Sequence, residues 1–158
     1  MPAHRHDLSF LLNQSSYALT AHLVAALAGL GITVREFCVL MKADGEERTQ
    51  NVVAELAALD KTTMVITLDA LEKAGLAERK VSGSDRRARV VAVTPKGRKV
   101  LHRAYDVVDG VVDDALGVLD PATRATFLAA LETLTAGPWL APSHTAPQRR
   151  RQVRASAG

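Results

Sequence analysis

The stretch from Thr49 to Thr94 constrains this chain most, because two short helices and two short strands must follow one another there with few residues to connect them. A first helix is expected over Thr49–Ala58, where Val53, Leu56 and Ala57 recur at i, i+3 and i+4. The Thr49 hydroxyl is placed to accept from the free amides of the first turn. A tight turn follows at Leu59. Asp60 is a second N-cap, and a second helix is expected from Lys61 to Ala74. Gly75 just past its end suits the left-handed conformation that closes a helix. Strands are expected over Leu76–Val81 and Arg89–Val93. Between them Ser82-Gly83-Ser84-Asp85-Arg86-Arg87 forms a turn with two arginines at its tip. Helix, turn, helix and basic β-hairpin is the layout of a winged helix-turn-helix, and it predicts DNA binding.

The rest of the chain supports a mainly α fold with a small β-hairpin wing. Its 158 residues suit one domain with a sizeable core. The apolar content is mostly Ala, Val and Leu, with only 4% aromatic residues, which favours helices over a sandwich. From Asp7 to Leu30 a helical stripe runs through Leu8, Leu11, Leu12, Leu19, Leu23, Ala26, Leu27 and Leu30, and Gly29 and Gly31 end it. Thr33 and Glu36 form a Thr-x-x-Glu capping box for a helix to about Ala43. Asp44-Gly45 is a turn. Thr94-Pro95 restarts a helix whose stripe runs through Leu101, Ala104, Val108, Val111, Val112, Ala115 and Leu119. Asp120-Pro121 repeats the signal for a last helix carrying Phe127, Leu128, Leu131 and Leu134 to about Ala136. The expected organisation is one domain over 7–136, with 33–94 as the winged lobe. Helices over 7–30 and 95–136 carry more apolar stripe than one subunit can bury, which favours a homodimer. Residues 137–158 read as a disordered basic tail and residues 1–6 as a mobile lead-in.

Charge is unevenly spread. Residues 76–103 hold nine basic and two acidic side chains, net +7, whereas 107–136 hold one basic and five acidic, net −4. Such clustering is the electrostatic footprint of a polyanion binder. A single cysteine, Cys38, excludes an internal disulfide framework. No signal peptide is expected, and the longest near-apolar run, Leu23 to Ile32, falls short of the roughly 18–20 residues a bilayer span needs. A cytoplasmic protein without membrane contact is expected. No Gly-rich phosphate loop or clustered Cys/His spacing is present, so no cofactor, no metal and no catalytic set are expected.

Four segments carry a family resemblance: Leu59-Asp60-Lys61-Thr62-Thr63, Leu71-Glu72-Lys73-Ala74-Gly75-Leu76, Asp85-Arg86-Arg87-Ala88, and Val91-Ala92-Val93-Thr94-Pro95-Lys96-Gly97. Together they resemble the MarR family of bacterial transcription regulators over roughly residues 8–136. The resemblance implies a triangular dimer, paired through its first and last helices, that binds a palindromic operator in double-stranded DNA. Many members release DNA when a small, often aromatic acid binds or a cysteine is oxidised.

Projected at 100° per residue, Met64, Leu68 and Leu71 share the core face of the second helix with Gly75. Thr62, Ile66, Asp69 and Lys73 lie opposite, flanked by Val65 and Ala70. Family members commonly place a Thr and an Arg where this chain has Val65 and Ile66, so guanine readout from that Arg is not available. Outward Val65 and Ile66 suit thymine methyl groups instead, or else they merely flank the core. Thr62 and Thr63 are candidates for phosphate or base contact, with helix capping as the plainer role. Lys61 and, at the start of the preceding helix, Thr49 and Gln50 complete that side. In the wing, Arg86 is the candidate for the minor groove or phosphate, and the family pattern implies that Asp85 and Arg87 pair and hold the tip. Arg79, Lys80, Arg87 and Arg89 are further DNA-contact candidates, each otherwise a solvated strand charge. Lys96, Arg98 and Lys99 read as a solvated helix face. Tyr17 and His22 lie on the first helix, where family effector pockets open. Cys38 reads as a buried structural thiol, since the family's sensing cysteine near the start of the first helix has no counterpart here.

Two readings compete with a DNA-binding repressor. One is a winged-helix protein-interaction module docking through Val65 and Ile66, against which the charge of the hairpin argues. The other is an enzyme that dimerises through the winged unit, against which the expectation of a single domain argues.

Overall fold

The computed structural model describes residues 7–83, 85 and 87–137. Arg86 and the expected tail beyond Gly137 lie outside the described residues, as does the lead-in over 1–6. The element order is α1 (Leu8–Ala28), α2 (Val34–Ala43), β1 (Arg48–Thr49), α3 (Gln50–Leu56), α4 (Lys61–Lys73), β2 (Ala77–Val81), β3 (Arg89–Val93), α5 (Pro95–Leu116) and α6 (Pro121–Ala136). The chain divides into two compact units, Met1–Gly117 and Val118–Gly158.

In the first unit each helix begins where its sequence signal stands. The Asp7 carboxylate accepts from the Phe10 amide at 3.2 Å. The Thr33 hydroxyl accepts from the Glu36 amide at 3.2 Å, while the Glu36 carboxylate accepts from the Thr33 amide at 2.6 Å, completing the capping box. Helices α3 and α4 end alike. After α4, the Leu76 amide donates to the Leu71 carbonyl and the Gly75 amide to the Glu72 carbonyl, with Gly75 at φ 70°. After α3, Leu59 donates to Ala54 and Ala58 to Glu55, with Ala58 at φ 53°. The turn expected at Leu59 therefore pivots on Ala58, a non-glycine residue in the left-handed region, and α3 stops at Leu56 rather than Ala58.

The sheet has a third strand that the sequence reading did not expect. β1 is two residues long and pairs antiparallel with β3, Arg48 opposite Val91 and Thr49 opposite Val90, giving the order β1-β3-β2. Two residues hold no alternation to detect. Thr49 serves both elements, ending β1 and accepting from the Val52 amide as N-cap of α3. β2 and β3 pair from Ala77 opposite Val93 to Val81 opposite Arg89.

The core of this unit collects Leu27 from α1, Leu40 from α2, Met64, Leu68 and Leu71 from α4, and Leu101 from α5, all fully buried. Burying one such side chain is worth about 1.5–3 kcal/mol. Phe37 and Tyr105 join α2 to α5 edge to face, ring centres 5.7 Å apart. α5 starts at a knot. The Thr94 hydroxyl accepts from the Gly97 amide at 2.9 Å and donates to the Gly75 carbonyl at 2.8 Å. At Gly97 a Cβ would stand 1.9 Å from the Leu76 carbonyl oxygen, so only glycine lets α5 approach the start of β2 this closely. α5 ends at Leu116, leaving Leu119 outside it.

In the second unit α6 starts at a similar cap, with Asp120 accepting from the Ala122 and Thr123 amides at 3.1 Å and from the Thr123 hydroxyl at 2.5 Å. None of its residues is buried.

Candidate nucleic-acid interface

The inward and outward faces of α4 separate as its sequence predicts. Met64, Leu68 and Leu71 are fully buried, while Ile66 is 65% and Val65 41% exposed. Lys61, Thr62, Asp69 and Lys73 are also exposed. Thr67, absent from the expected core, is buried too, and its hydroxyl donates to the Thr63 carbonyl at 2.7 Å. The helix start is tightly held. Asp60 accepts from the Thr63 amide at 2.9 Å and from its hydroxyl at 2.6 Å. That hydroxyl first, and the amide next, hold the Asp60 carboxyl below the usual carboxylate range. Thr63 thus serves the helix start as the donor to the Asp60 cap, and Thr62 is the threonine left facing outward.

The wing is braced at its base. Glu47, in the loop before β1, accepts from the Ser82 hydroxyl at 2.6 Å and from the Gly83 amide at 3.0 Å. Ser82 is buried and its hydroxyl also accepts from the Asp85 amide at 3.2 Å. Asp85 accepts from the backbone amide of Arg87 at 2.9 Å, so the tip is held through the main chain of Arg87. Arg87 and Arg89 are exposed. Glu47 and Ser82 are 35 residues apart, and no local pattern pointed to either.

Several basic residues are engaged with the protein itself. Arg79, a candidate for phosphate contact, is tied to neighbouring side chains, which sets aside the plainer alternative of a solvated strand charge. Its guanidinium donates to Asp69 at 2.7 Å, to Glu72, and to the Gln50 side chain at 3.2 Å. Gln50 is thereby tied to β2. Lys80 pairs with Glu78 at 2.7 Å along its own strand. Lys96 donates to the Ala74 carbonyl at 2.7 Å, just past the end of α4, where a cation suits the helix dipole. Arg98 donates to the Val93 carbonyl at 2.9 Å. Lys96 and Arg98 therefore pin α5 to its surroundings instead of forming a merely solvated face.

Cys38 is half-buried, and burial pushes its thiol up from its ordinary value, partly offset by Lys42. A sensing cysteine needs the opposite shift. Tyr17 is 75% exposed and His22 is exposed. Five residues apart on a helix, they point about 140° apart and do not converge on one site. A separate recess of about 300 Å³ at the α1–α2 junction is lined by Val24, Ala28, Gly31, Ile32, Thr33 and Val34. Among the described residues no cluster of His, Cys, Asp or Glu could hold a metal ion, and no helix is long and apolar enough to cross a membrane.

A doubly capped helix with an unburied outer face, followed by a braced basic hairpin in a three-stranded sheet, defines a winged helix-turn-helix of the transcription-regulator class. Residues 30–88 match the model of the MarR family. The HTH-type transcriptional repressor Rv2887 of Mycobacterium tuberculosis is 30% identical over 128 residues, covering 80% of this chain and 92% of that protein. The chain belongs to the MarR family of transcription regulators. Two solved structures show how far the likeness extends. CouR, a transcriptional repressor of Rhodococcus jostii RHA1, bound to a 23-mer DNA duplex, superposes with a TM-score of 0.74 at 30% identity, over 81% of this chain and 92% of that one. Rv2887 in complex with p-aminosalicylic acid gives 0.67 at 29% identity, over 81% and 98%.

Proposed function

We propose that the chain is a homodimeric, sequence-specific DNA-binding repressor of nearby genes, without enzymatic activity, acting in the cytoplasm. Residues 7–136 act as one functional domain, with 33–94 as the reading lobe and α1, α5 and α6 pairing two copies. The observation that carries the reading is the outer face of α4. Val65 and Ile66 stand exposed beside exposed Thr62 on a helix whose other face is fully buried, next to a basic hairpin. Apolar side chains there fit thymine methyl groups in a major groove. Thr62, Lys61, Lys80, Arg87 and Arg89 flank them as phosphate contacts, and Arg86 reaches the minor groove or phosphate from the tip. Thr49, Gln50 and Thr63 support the face through their caps and ties. CouR bound to duplex DNA supports the reading.

Release by a small molecule is supported by Rv2887 bound to p-aminosalicylic acid. In this chain Tyr17 and His22 diverge, and the α1–α2 recess offers an apolar lining to the ring of such a molecule.

The test is fluorescence anisotropy with DNA flanking the coding region, across salt concentrations, with Arg86→Ala beside the parent. Affinity should fall steeply with salt as phosphate contacts release counterions. Arg86→Ala should weaken binding roughly tenfold, as for one lost minor-groove or phosphate contact. Half-sites should lie about one helical turn apart, roughly 10 bp. Binding that ignores sequence and salt at every site tried, with capture of a protein through Val65 and Ile66, sinks the reading.

A further inference from the structure

We infer that Arg79 is a positioning residue of the DNA reader: one guanidinium fixes α4 against β2 and α3 and neutralises the two carboxylates that α4 would otherwise carry unpaired toward DNA. The inference rests on the reading of α4 as the helix that meets DNA.

The geometry is that of a three-way clamp. The Arg79 backbone amide donates to Glu72 Oε1 at 2.8 Å, while its Nη1 donates to Glu72 Oε2. Its Nη2 donates to Asp69 Oδ1 at 2.7 Å, and its Nε to Gln50 Oε1 at 3.2 Å. Each of the three guanidinium nitrogens thus has a partner, on two different helices. A planar fork holds three such directions at once, whereas an ammonium acts as a point charge. Asp69 lies on the outward face of α4 and is exposed. Without Arg79, that carboxylate and Glu72 would meet the phosphate backbone as uncompensated negative charge. Asp69 and Glu72 stand three residues apart on the helix and are therefore neighbours on its surface. The first strand residues after α4 then bring Arg79 back over both. This accounts for a basic residue that sits beside the reading face yet is turned to the protein.

The alternative is that Arg79 contacts phosphate directly, and a double-mutant cycle separates the two. The probe is the fluorescein-labelled duplex that the parent protein selects from a random pool, with an unselected duplex as control. Arg79→Met is measured in the parent and in an Asp69→Asn/Glu72→Gln background. Asn and Gln keep acceptor oxygens but remove the charge. Arg79→Met should weaken binding at least tenfold in the parent and less than threefold in the background. The salt slope in that background should be unchanged. Losses that agree within threefold overturn the inference. So does a slope that falls by about 0.9 in both backgrounds, the mark of one lost phosphate contact. Absence of any loss overturns it as well. Thermal melting is recorded for each variant, and if Arg79→Met melts below the assay temperature, Arg79→Gln, which likewise removes the charge, is put through the same cycle and judged by the same threefold limit. A parent that selects no sequence fails at the first step, which identifies the DNA-reading proposal as the part that is wrong.

Discussion

Helices α4 and α6 start with nearly the same chemistry. Each has an aspartate N-cap that accepts from the amide and hydroxyl of the threonine three residues on. Their fates differ. α4 buries Met64, Thr67, Leu68 and Leu71, whereas α6 buries nothing and leaves Phe127, Leu128 and Leu134 between 37% and 44% exposed. A cap says where a helix begins and is silent on what will cover it. The cover of α4 lies within its own unit, and under the dimer proposal that of α6 is completed by a second copy.

The sharpest way to break this comparison is to make one substitution in both helices. Leu68→Ala should cost about 2–5 kcal/mol by urea unfolding, the range for truncating a fully buried leucine. Leu128→Ala should instead weaken self-association in sedimentation equilibrium, with a loss of stability that depends on protein concentration. Equal, concentration-independent losses at the two sites would erase the distinction.

Next in size is Gly97→Ala. An added Cβ would collide with the Leu76 carbonyl, so α5 must back away from the sheet. We expect a loss of about 2–3 kcal/mol by the same unfolding measurement, the scale of an overpacked site. A neutral result would mean that the start of α5 yields easily. Gly110, where a Cβ meets open space, provides the control.

The caps supply a smaller, pH-dependent effect. The Asp60 and Asp120 carboxyls both sit below the usual range, held there first by the hydroxyls of Thr63 and Thr123. A folded pKa below the unfolded one stabilises the fold fully above the unfolded value, and the contribution is lost as pH falls through the folded value. Asparagine caps without titrating. Asp60→Asn and Asp120→Asn should each lower the melting temperature slightly at neutral pH, where the carboxylate's contribution is fully present, and make its decline with acid shallower. A steeper decline in either variant would contradict the assignment.

The smallest effect concerns the turn into α4. Ala58 does the work that Gly75 does after α4, at a strain of about 1–2 kcal/mol for a left-handed alanine. Glycine removes that strain but adds freedom to the unfolded chain, roughly 0.5–1 kcal/mol. Ala58→Gly should therefore raise the stability of the protein by about half a kcal/mol. A measured loss would show that the Ala58 methyl group makes contacts worth more than the strain.

Much of the fold was legible in the sequence where the deciding interaction is local. The capping box at Thr33 and Glu36, the caps at Asp60 and Asp120 and the left-handed Gly75 each involve residues a few positions apart. The core face of α4 was legible because a helical period places Met64, Leu68 and Leu71 together. Strand β1 was not, since its two residues are strand only by virtue of Val90 and Val91, some 40 positions later. The same limit applies to the site. The outward face of α4 followed from its period, whereas the brace of Glu47 on the wing joins residues 35 positions apart. Arg79 lay in between. Its carboxylate partners stand seven and ten positions back, close enough to suspect, but its basic strand context suggested solvent or phosphate instead.

The knot at Thr94 and Gly97 has a consequence for how such a protein can change. It fastens the end of α4, the start of β2 and the start of α5 with one hydroxyl and one missing side chain. None of its bonds involves Val65 or Ile66. New residues at those two positions leave the fastening intact, so the chain has a replaceable lettering set on a fixed plate. A duplicated copy could acquire a different vocabulary through one or two substitutions there, without having to rediscover how to fold.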